Sequence, residues 1–275
     1  MTEPQFCVLG PLEVRSAGAP VVLGGAKLRT LLAALLVRSN QVVSTDSLVD
    51  TLWPSSAPAT ARALVQTYVS QLRKLIEPAA DGARRVLRTI EPGYCLQTID
   101  VDAVHFEALL ARGDIALAAG RAAEAFELLR DSLGLWRGPA LAGLAELPAV
   151  RPEAQRLDSL RLVATEECIE AAIALGRHAL FVAELQVLVN EYPMRERFWG
   201  QLMLCLYRSG RQGDALSAYQ QLRRQLAEDL GLQPGPALAQ LEQAILTHDP
   251  ALAWSAPPGR PSCPRCSDAT PKWRR

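Results

Sequence analysis

A Gly-Arg pair followed by an amphipathic stretch occurs three times in the second half of this 275-residue chain, at residues 120, 176 and 210. The second interval, from 176 to 210, matches the period of the tetratricopeptide repeat, a helix pair of about 34 residues. The first interval, from 120 to 176, is one such period plus an insertion. Because one helix pair cannot bury its apolar face alone, we expect the three units to stack into a short superhelical array.

Two of the three units carry a small residue five positions after the glycine, where the paired helices must approach closely. Ala125 and Ala215 have this spacing, whereas Phe181 occupies the same position in the middle unit. The insertion, which contains RGPALAGLAELPAVRP, falls between the first and second units. Such an array presents a concave surface to partners, although most of its apolar residues form the core.

The first hundred residues mix strand and helix signals. Apolar or β-branched runs bounded by Gly and Pro predict strands, and leucines at helical spacing predict helices. The predicted elements are strands at 6–14 and 20–25, a helix at 26–40, a second helix capped by Ser44 or Thr45 and ended by Pro54, a third helix at 59–78, and a hairpin of segments 84–90 and 93–99 joined by Glu-Pro-Gly. This order is that of a winged helix, in which the third helix enters a groove and the hairpin forms the wing.

The third predicted helix, ATARALVQTYVSQLRKLIEP, has an apolar stripe and a polar face without acids. At helical spacing Val65, Val69, Leu72 and Ile76 form the buried stripe, and no acidic residue precedes Glu77. A helix face that serves solubility alone usually mixes in glutamates at i,i+4, whereas Arg, Lys, Gln, Ser and Thr suit phosphates and base edges. We therefore interpret the face as a DNA-contacting surface. Its predicted members are Arg62, Gln66, Thr67, Ser70, Gln71, Arg73 and Lys74.

Charge is partitioned along the chain although its formal net value is zero. Residues 1–98 carry a net +3, residues 99–250 a net −7 and residues 251–275 a net +4. This asymmetry indicates a basic module carried on an acidic one. The last segment contains five prolines and little periodicity, which predicts a disordered tail.

The predicted fold class is mostly α in two domains. Residues 1–99 form a winged helix-turn-helix domain (α+β), residues 100–250 an all-α tetratricopeptide-like helical repeat domain, and residues 251–275 a disordered basic Pro-rich tail. No apolar run approaches the roughly 18 residues of a membrane span, and the start lacks the basic residues of a signal peptide. The expected compartment is therefore the cytoplasm, with no membrane partner.

Nothing in the sequence predicts an enzyme, a catalytic residue or a cofactor. His105, His178 and His248 are isolated, and the phosphate loop G-x-x-x-x-G-K-[ST] is missing. Four of the six cysteines lie singly in apolar segments, where a free thiol behaves as a small hydrophobe. Cys263 and Cys266 form a lone C-x-x-C that resembles half a zinc site or a redox pair. No second pair or histidine follows, so we predict no metal.

The chain resembles the Streptomyces antibiotic regulatory protein (SARP) family of transcriptional activators. LRTLLAALLVRSNQVVSTDSLVDTLWP, VQTYVSQLRKLIEP and GYCL are similar to the OmpR/PhoB-type winged helix. VDAVHFEALLARG and the stretch from MRERFWGQLMLCLYRSGRQGDALSAYQQLRR to LEQAIL, residues 194–246, resemble the bacterial transcriptional activation domain of that family. The resemblance covers roughly residues 5–250, and both domains match in the family's order.

The resemblance implies a DNA-binding activator specific for a secondary-metabolite (antibiotic) gene cluster. It implies binding to direct repeats near the −35 region by head-to-tail protomers, a homodimer on DNA, and recruitment of RNA polymerase holoenzyme through sigma factor and core subunits. Such an activator is associated with the nucleoid. Carried over by position, the seven residues named on the third helix would contact the major groove or its phosphates. Independently of the resemblance, Arg84, Arg85 and Arg88 lie just before and within the first hairpin strand, where they can bind phosphate, and the predicted DNA-contacting set adds Arg85, Arg88 and Thr89 to the helix residues.

The predicted wing departs from the family pattern, which often has Arg-Pro-Pro-Gly-Tyr. Ile90 stands where the arginine is expected, and Glu91 replaces the first proline. A carboxylate beside the minor groove repels phosphates, so this departure predicts weaker contacts between the wing and DNA. The departure also supports an alternative function, a helical-repeat interaction adaptor whose winged helix does not bind DNA.

Overall fold

The structure, a computed structural model, describes residues 4–254 except 17, 78–85 and 99. These residues form two compact units, 4–109 with 131–162 and 110–130 with 163–254. The elements are β1 (Gln5–Cys7), β2 (Glu13–Ser16), β3 (Ala19–Val21), α1 (Ala26–Leu36), β4 (Val43–Ser44), α2 (Thr45–Leu52), α3 (Ala61–Ile76), β5 (Leu87–Ile90), β6 (Gly93–Leu96), α4 (Asp102–Ala118), α5 (Ala122–Leu133), α6 (Arg151–Ala174), α7 (Val182–Glu191), α8 (Glu196–Arg208), α9 (Gln212–Leu230) and α10 (Pro236–Leu246). The predicted fold class, a winged helix followed by a helical domain, is confirmed.

Two small antiparallel sheets lie in the first unit. One has the strand order β1-β2-β3, with Phe6 opposite Val14, and the other has the order β4-β6-β5. The single strand predicted for residues 6–14 is wrong. Gly10, with a φ of 145°, and Pro11 interrupt the run, and its two ends pair with each other as β1 and β2.

Helices α1 and α2 begin where local signals predict. Ser44 is the residue that caps α2, because its hydroxyl accepts a hydrogen bond from the Ser47 backbone N–H at 3.2 Å. Helix α1 ends at Leu36, earlier than predicted. The chain turns there because Asn40, with a φ of 64°, donates its backbone N–H to the carbonyl oxygen of Leu96.

Helix α3 buries the predicted apolar stripe. Val65, Val69, Leu72 and Ile76 are all at most 2% exposed, and α3 packs against α1 and α2. Full burial of each aliphatic side chain contributes roughly 1.5–3 kcal/mol, so the stripe fixes which side of α3 faces solvent.

The predicted hairpin is present as β5 and β6, joined at Glu91 and Pro92. β6 approaches β4 closely at Gly93, where a Cβ atom would lie 1.9 Å from the carbonyl oxygen of Val43. Only glycine fits this position, which holds the hairpin beside the start of α2.

The insertion between the first two repeat units packs within the first unit. Three backbone N–H groups of this segment donate to carbonyl oxygens near the N-terminus: Arg137 to Leu9, Leu141 to Val8 and Ala142 to Gly10. The sequence did not indicate this pairing, because its two sides are far apart in the chain and the inserted segment shows no strand periodicity.

Asp102, the first residue of α4, contributes a buried carboxylate to the same region. It accepts hydrogen bonds from the backbone N–H groups of Val8 at 2.7 Å and Leu9 at 3.2 Å. Arg137 lies 3.4 Å from the Asp102 carboxylate and 2.8 Å from that of Glu13. Burial raises the pKa of Asp102, although the two amides and Arg137 act in the opposite direction.

In the second unit, each Gly-Arg pair forms the turn between two helices. Gly120, Gly176 and Gly210 have φ of 73°, 75° and 76°, a left-handed conformation that favours glycine. In each turn the arginine N–H donates at 2.9 Å to a carbonyl five positions earlier: Arg121 to Ala116, Arg177 to Ala172 and Arg211 to Leu206. The predicted helix-turn-helix units are therefore present.

The middle unit differs from the other two after its turn. A 3-10 helix, His178–Phe181, precedes α7, so the α-helix predicted to begin directly after the turn is wrong there. Ala125 and Ala215 are fully buried, whereas Phe181 packs edge-on against Phe126 with ring centroids 6.4 Å apart. The Phe181 ring fills space that, in the other two units, the small alanine leaves for the close approach of the paired helix.

The start of the predicted disordered tail is ordered. Pro250–Leu252 form a 3-10 helix, and the Trp254 indole N–H donates to the carbonyl oxygen of Ala174 at 3.0 Å. Residues 255–275, with Cys263 and Cys266, lie outside the described residues, so their disorder stays a prediction. Within the described ranges, no helix is long and apolar enough to cross a membrane.

Candidate nucleic-acid interface

The exposed side of α3 consists of the predicted polar residues around one alanine. The exposed positions of this helix are Arg62, Ala63, Gln66, Thr67, Ser70, Gln71 and Lys74. Its first turn contains no acidic residue, and its last turn contains the basic residues Arg73 and Lys74. We call the exposed residues other than Ala63 the polar face of α3. Its contact with DNA remains a prediction.

Most side chains of the polar face are free to make new hydrogen bonds. In the part of the chain that the structure describes, Gln66, Ser70, Gln71 and Lys74 have no side-chain partner. Thr67 donates its hydroxyl to the Ala63 carbonyl one turn earlier, at 3.0 Å. Two amides, an ammonium and two hydroxyls thus line a surface about two turns long, a chemistry that suits base edges and phosphate oxygens.

An acid from α2 lies next to the start of the polar face. Asp46 Oδ1 is 2.7 Å from Arg62 Nη2, and the two side chains are 69% and 74% exposed. The sequence of α3 does not reveal this acid, because Asp46 belongs to another helix and lies well before Arg62 in the chain. An ion pair this exposed contributes only about 0–1 kcal/mol to stability, so Arg62 can exchange it for a phosphate.

Arg73, also in the predicted set, points toward the wing. It is half-buried, and its Nε donates to the Leu87 carbonyl oxygen at 3.0 Å. Its Nη2 donates to Thr89 Oγ1, another predicted DNA contact, at 2.8 Å. Glu77 accepts a hydrogen bond from the Leu87 N–H at 2.7 Å. Sequence reasoning missed this role because the wing strand could not be placed against α3 from periodicity alone.

The rest of the wing presents one cation and one anion. Arg88 is exposed, and its Nη1 donates to Gln97 Oε1 at 3.1 Å. Ile90 is half-buried, and Glu91 is exposed at the turn. Arg85 lies outside the described residues.

Outside α3 and the wing, the structure brings two histidines, an arginine and a glutamine to one cavity. The prediction that the histidines are isolated is wrong for two of them: His178 and His248 line one cavity of about 570 Å³ with Arg208 and Gln212. Arg208 donates to the Leu252 carbonyl and Gln212 to the Ile245 carbonyl, so these groups hold the C-terminal segment. In the same described ranges, no three His, Cys, Asp or Glu side chains are placed to hold a metal ion.

The four cysteines of the described residues are buried, as expected for small hydrophobes. Burial raises the pKa of Cys168 to about 12 and that of Cys205 to about 12. Neutral thiols of this kind are poor nucleophiles.

Comparisons with known proteins agree with this architecture. Residues 19–96 match the family model described as "Transcriptional regulatory protein, C terminal", and residues 101–246 match the bacterial transcriptional activator domain. A winged helix followed by this domain defines a transcriptional regulator.

Similar full-length proteins narrow the assignment. The transcriptional regulatory protein EmbR of Mycobacterium tuberculosis is 41% identical over 247 residues, which cover 89% of this chain and 64% of EmbR. The transcriptional regulator RedD of Streptomyces coelicolor is 38% identical over 250 residues, covering 89% of this chain and 71% of RedD. A solved structure of EmbR in complex with a low affinity phosphopeptide superimposes with a TM-score of 0.86 at 40% identity, covering 91% of this chain and 66% of that one. The chain belongs to the SARP family of transcriptional regulators.

Proposed function

We propose that this regulator binds double-stranded DNA sequence-specifically through α3 and activates transcription. The observation that carries the proposal is the exposed surface of α3, where every exposed residue is a hydrogen-bond donor, a cation or alanine. A helix surface that serves solubility alone usually carries acids as well. The exposed surface of α3 carries none, and the acid that pairs with Arg62 is Asp46 of α2.

The spacing of the polar face fits a helix lying in a major groove. Arg62 and Lys74 are about 18 Å apart along the helix axis at the usual rise per residue. This separation exceeds the width of the major groove, which is about 12 Å. The two cations therefore suit phosphates on opposite sides of the groove. Gln66, Ser70 and Gln71 lie between them, where amides and hydroxyls can bond to base edges.

The family resemblance supports a more specific proposal. The DNA site is a pair of direct repeats near the −35 region, bound by head-to-tail protomers, and the helical domain contacts RNA polymerase holoenzyme through its sigma factor and core subunits. The regulated genes form a secondary-metabolite (antibiotic) cluster, and the protein acts in the cytoplasm at the nucleoid.

A second candidate function is a protein-interaction adaptor that does not bind DNA. The exposed Glu91 in the wing favours it, because a carboxylate there opposes contact with phosphates. The helical units would then supply the binding surface.

Footprinting of the full-length protein on the DNA around its own gene separates the two candidates. The DNA-binding proposal predicts protected direct repeats that overlap a −35 region. It also predicts that a protected duplex is bound at least about 1,000-fold more tightly than a mixed-sequence duplex at equal salt, the lower limit of ordinary specific binding. No protection and equal affinity for both duplexes would favour the adaptor.

Removing the acid beside Arg62 is expected to strengthen DNA binding. Asp46→Asn keeps the side-chain shape but releases the Arg62 guanidinium, so we expect operator affinity to rise by about two- to fivefold, an exposed-pair effect of up to about 1 kcal/mol. Titration of the footprinted duplex by fluorescence anisotropy measures the change.

Asp50→Asn is the matched control, an acid on α2 that forms no ion pair with Arg62 in the described residues. Its operator affinity should stay within about twofold of the unsubstituted protein, a surface effect of under about 0.5 kcal/mol. A lower affinity of Asp46→Asn would mean that Asp46 orients Arg62 toward DNA instead of competing for it.

A further inference from the structure

Arg73 of α3 and Glu77 at the C-terminal end of this helix bind the edge strand of the wing. β5 is an edge of the β4-β6-β5 sheet, and the N–H of Gln97, just after the partner strand, donates to the carbonyl oxygen of Val86. Alternation along an antiparallel ladder then leaves the backbone groups of Leu87, the next residue, facing away from β6. Arg73 and Glu77, one helical turn apart, occupy these two groups: Arg73 Nε donates to the Leu87 oxygen, and Glu77 Oε1 accepts from the Leu87 nitrogen.

Arg73 also bonds two residues further along the strand. Its Nη2 donates to Thr89 Oγ1 at 2.8 Å, so one planar guanidinium contacts β5 at two points. The Leu87 side chain is fully buried, which fixes the start of the strand against the core. The three hydrogen bonds set the distance and angle between α3 and β5.

These contacts distinguish Arg73 from the other cations of α3. Arg62 and Lys74 are exposed, whereas Arg73 is half-buried and uses two of its nitrogens on the wing. An arginine that serves as a phosphate ligand needs its donors free for the planar bidentate contact that this side chain makes best.

We propose that Arg73 and Glu77 are positioning residues that fix the wing against α3. They place Arg88 and the β5–β6 turn at the correct offset from the groove that α3 occupies. Arg73 acts on DNA affinity through the wing and is not itself a phosphate ligand. The effect on DNA affinity rests on the proposed DNA binding. The clamp itself, meaning the three hydrogen bonds from Arg73 and Glu77 to β5, is present without DNA.

Hydrogen exchange of the full-length protein tests the clamp in the absence of DNA. Arg73→Ala removes two charge-assisted hydrogen bonds to β5 and Glu77→Ala removes one, and in each case a bond to the backbone of Leu87 is part-buried. Each variant should therefore accelerate exchange of the β5 amides by about tenfold, while amides in α8 and α9 are unchanged. Glu77→Gln keeps the acceptor oxygen and should exchange close to the unsubstituted protein. Unchanged β5 exchange in both alanine variants would overturn the clamp.

The salt dependence of DNA binding tests how Arg73 acts. The probe is the duplex identified by footprinting, and the variants are Arg73→Ala, Arg88→Ala and the double substitution. Because the wing carries the effect, adding Arg73→Ala to Arg88→Ala should leave the slope of log K against log salt unchanged. A direct phosphate contact by Arg73 would make that slope shallower by about 0.9 in either background, which would overturn the proposal.

The two tests separate the failure of this inference from the failure of the proposed function. Absence of specific DNA binding by the unsubstituted protein would refute the function, and the exchange experiment would still decide the clamp. Arg73→Lys adds a check, because an ammonium reaches one of the two β5 acceptors but not both in the same geometry. Its β5 exchange should fall between those of Arg73→Ala and the unsubstituted protein.

Discussion

Replacing Arg62 and Lys74 together with alanine is expected to weaken operator binding by at least about 20-fold at about 0.15 M salt, because each cation that neutralises a phosphate releases counterions. The loss of two such contacts should make the slope of log K against log salt shallower by about 1.8. The two side chains lie at opposite ends of the polar face of α3 and are exposed. Their removal should therefore leave the folded structure unchanged.

The matched control removes two exposed arginines from the helical domain. Arg223→Ala with Arg224→Ala changes the net charge by the same amount, on α9. If charge acts only through the overall field, this control should weaken binding as much as the α3 variant. An α3 variant with unchanged slope would show that its cations do not contact phosphates.

Asp102→Ala is expected to lower the free energy of unfolding by about 3 kcal/mol, because it leaves buried backbone donors without an acceptor. Val8 and Leu9 are at most 4% exposed, so water does not replace the carboxylate that their N–H groups contact. The burial that raises the pKa of Asp102 is a cost that the substitution removes, and for this reason the loss is smaller than the sum of the bonds. Urea unfolding of the full-length protein, followed by circular dichroism, measures the change.

Glu107→Ala is the control on the same helix. Glu107 forms an ion pair with Arg156 at 2.7 Å, and both side chains are over 40% exposed. Its loss should cost less than about 1 kcal/mol. An equally small effect of Asp102→Ala would mean that the segment of residues 8–9 finds other hydrogen-bond partners.

Local periodicity was sufficient to predict α3 and the side that it exposes. The apolar residues that repeat at helical spacing from Val65 to Ile76 are buried, and the polar ones between them are exposed except Tyr68 and Arg73, which are half-buried. The same holds for the turns at Gly120, Gly176 and Gly210, because a left-handed residue at a helix end leaves a glycine in the sequence.

Contacts between elements could not be predicted in this way. The pairing of Arg62 with Asp46 depends on how α2 crosses α3, and the bonds of Arg73 depend on where β5 lies. Sequence reasoning grouped both arginines as equivalent because their positions on the helical wheel are adjacent. The structure separates them by what they already bind.

The hydrogen-bond partners of Asp102 could not be predicted either, because they lie still further away in the chain. Its partners are the amides of Val8 and Leu9, 94 and 93 residues away. An aspartate at the start of a helix is normally explained by the helix dipole or by capping, so its sequence position gave no sign of these partners. The break of the first predicted strand at Gly10 has a related cause, since the inserted segment pairs beside it.

The central claim, that the polar face of α3 determines DNA sequence specificity, is tested most directly by a base-pair scan with Gln66→Ala. Affinities of the unsubstituted protein and the variant are measured for a set of duplexes in which each base pair of the operator repeat is changed in turn. Gln41→Ala, an exposed glutamine of the same unit outside α3, is the control. We predict that Gln66→Ala loses about 1–3 kcal/mol of discrimination at one or two positions of each repeat and keeps it elsewhere, whereas the control keeps it at all positions. A profile for Gln66→Ala that matches that of Gln41→Ala at every position would contradict the account.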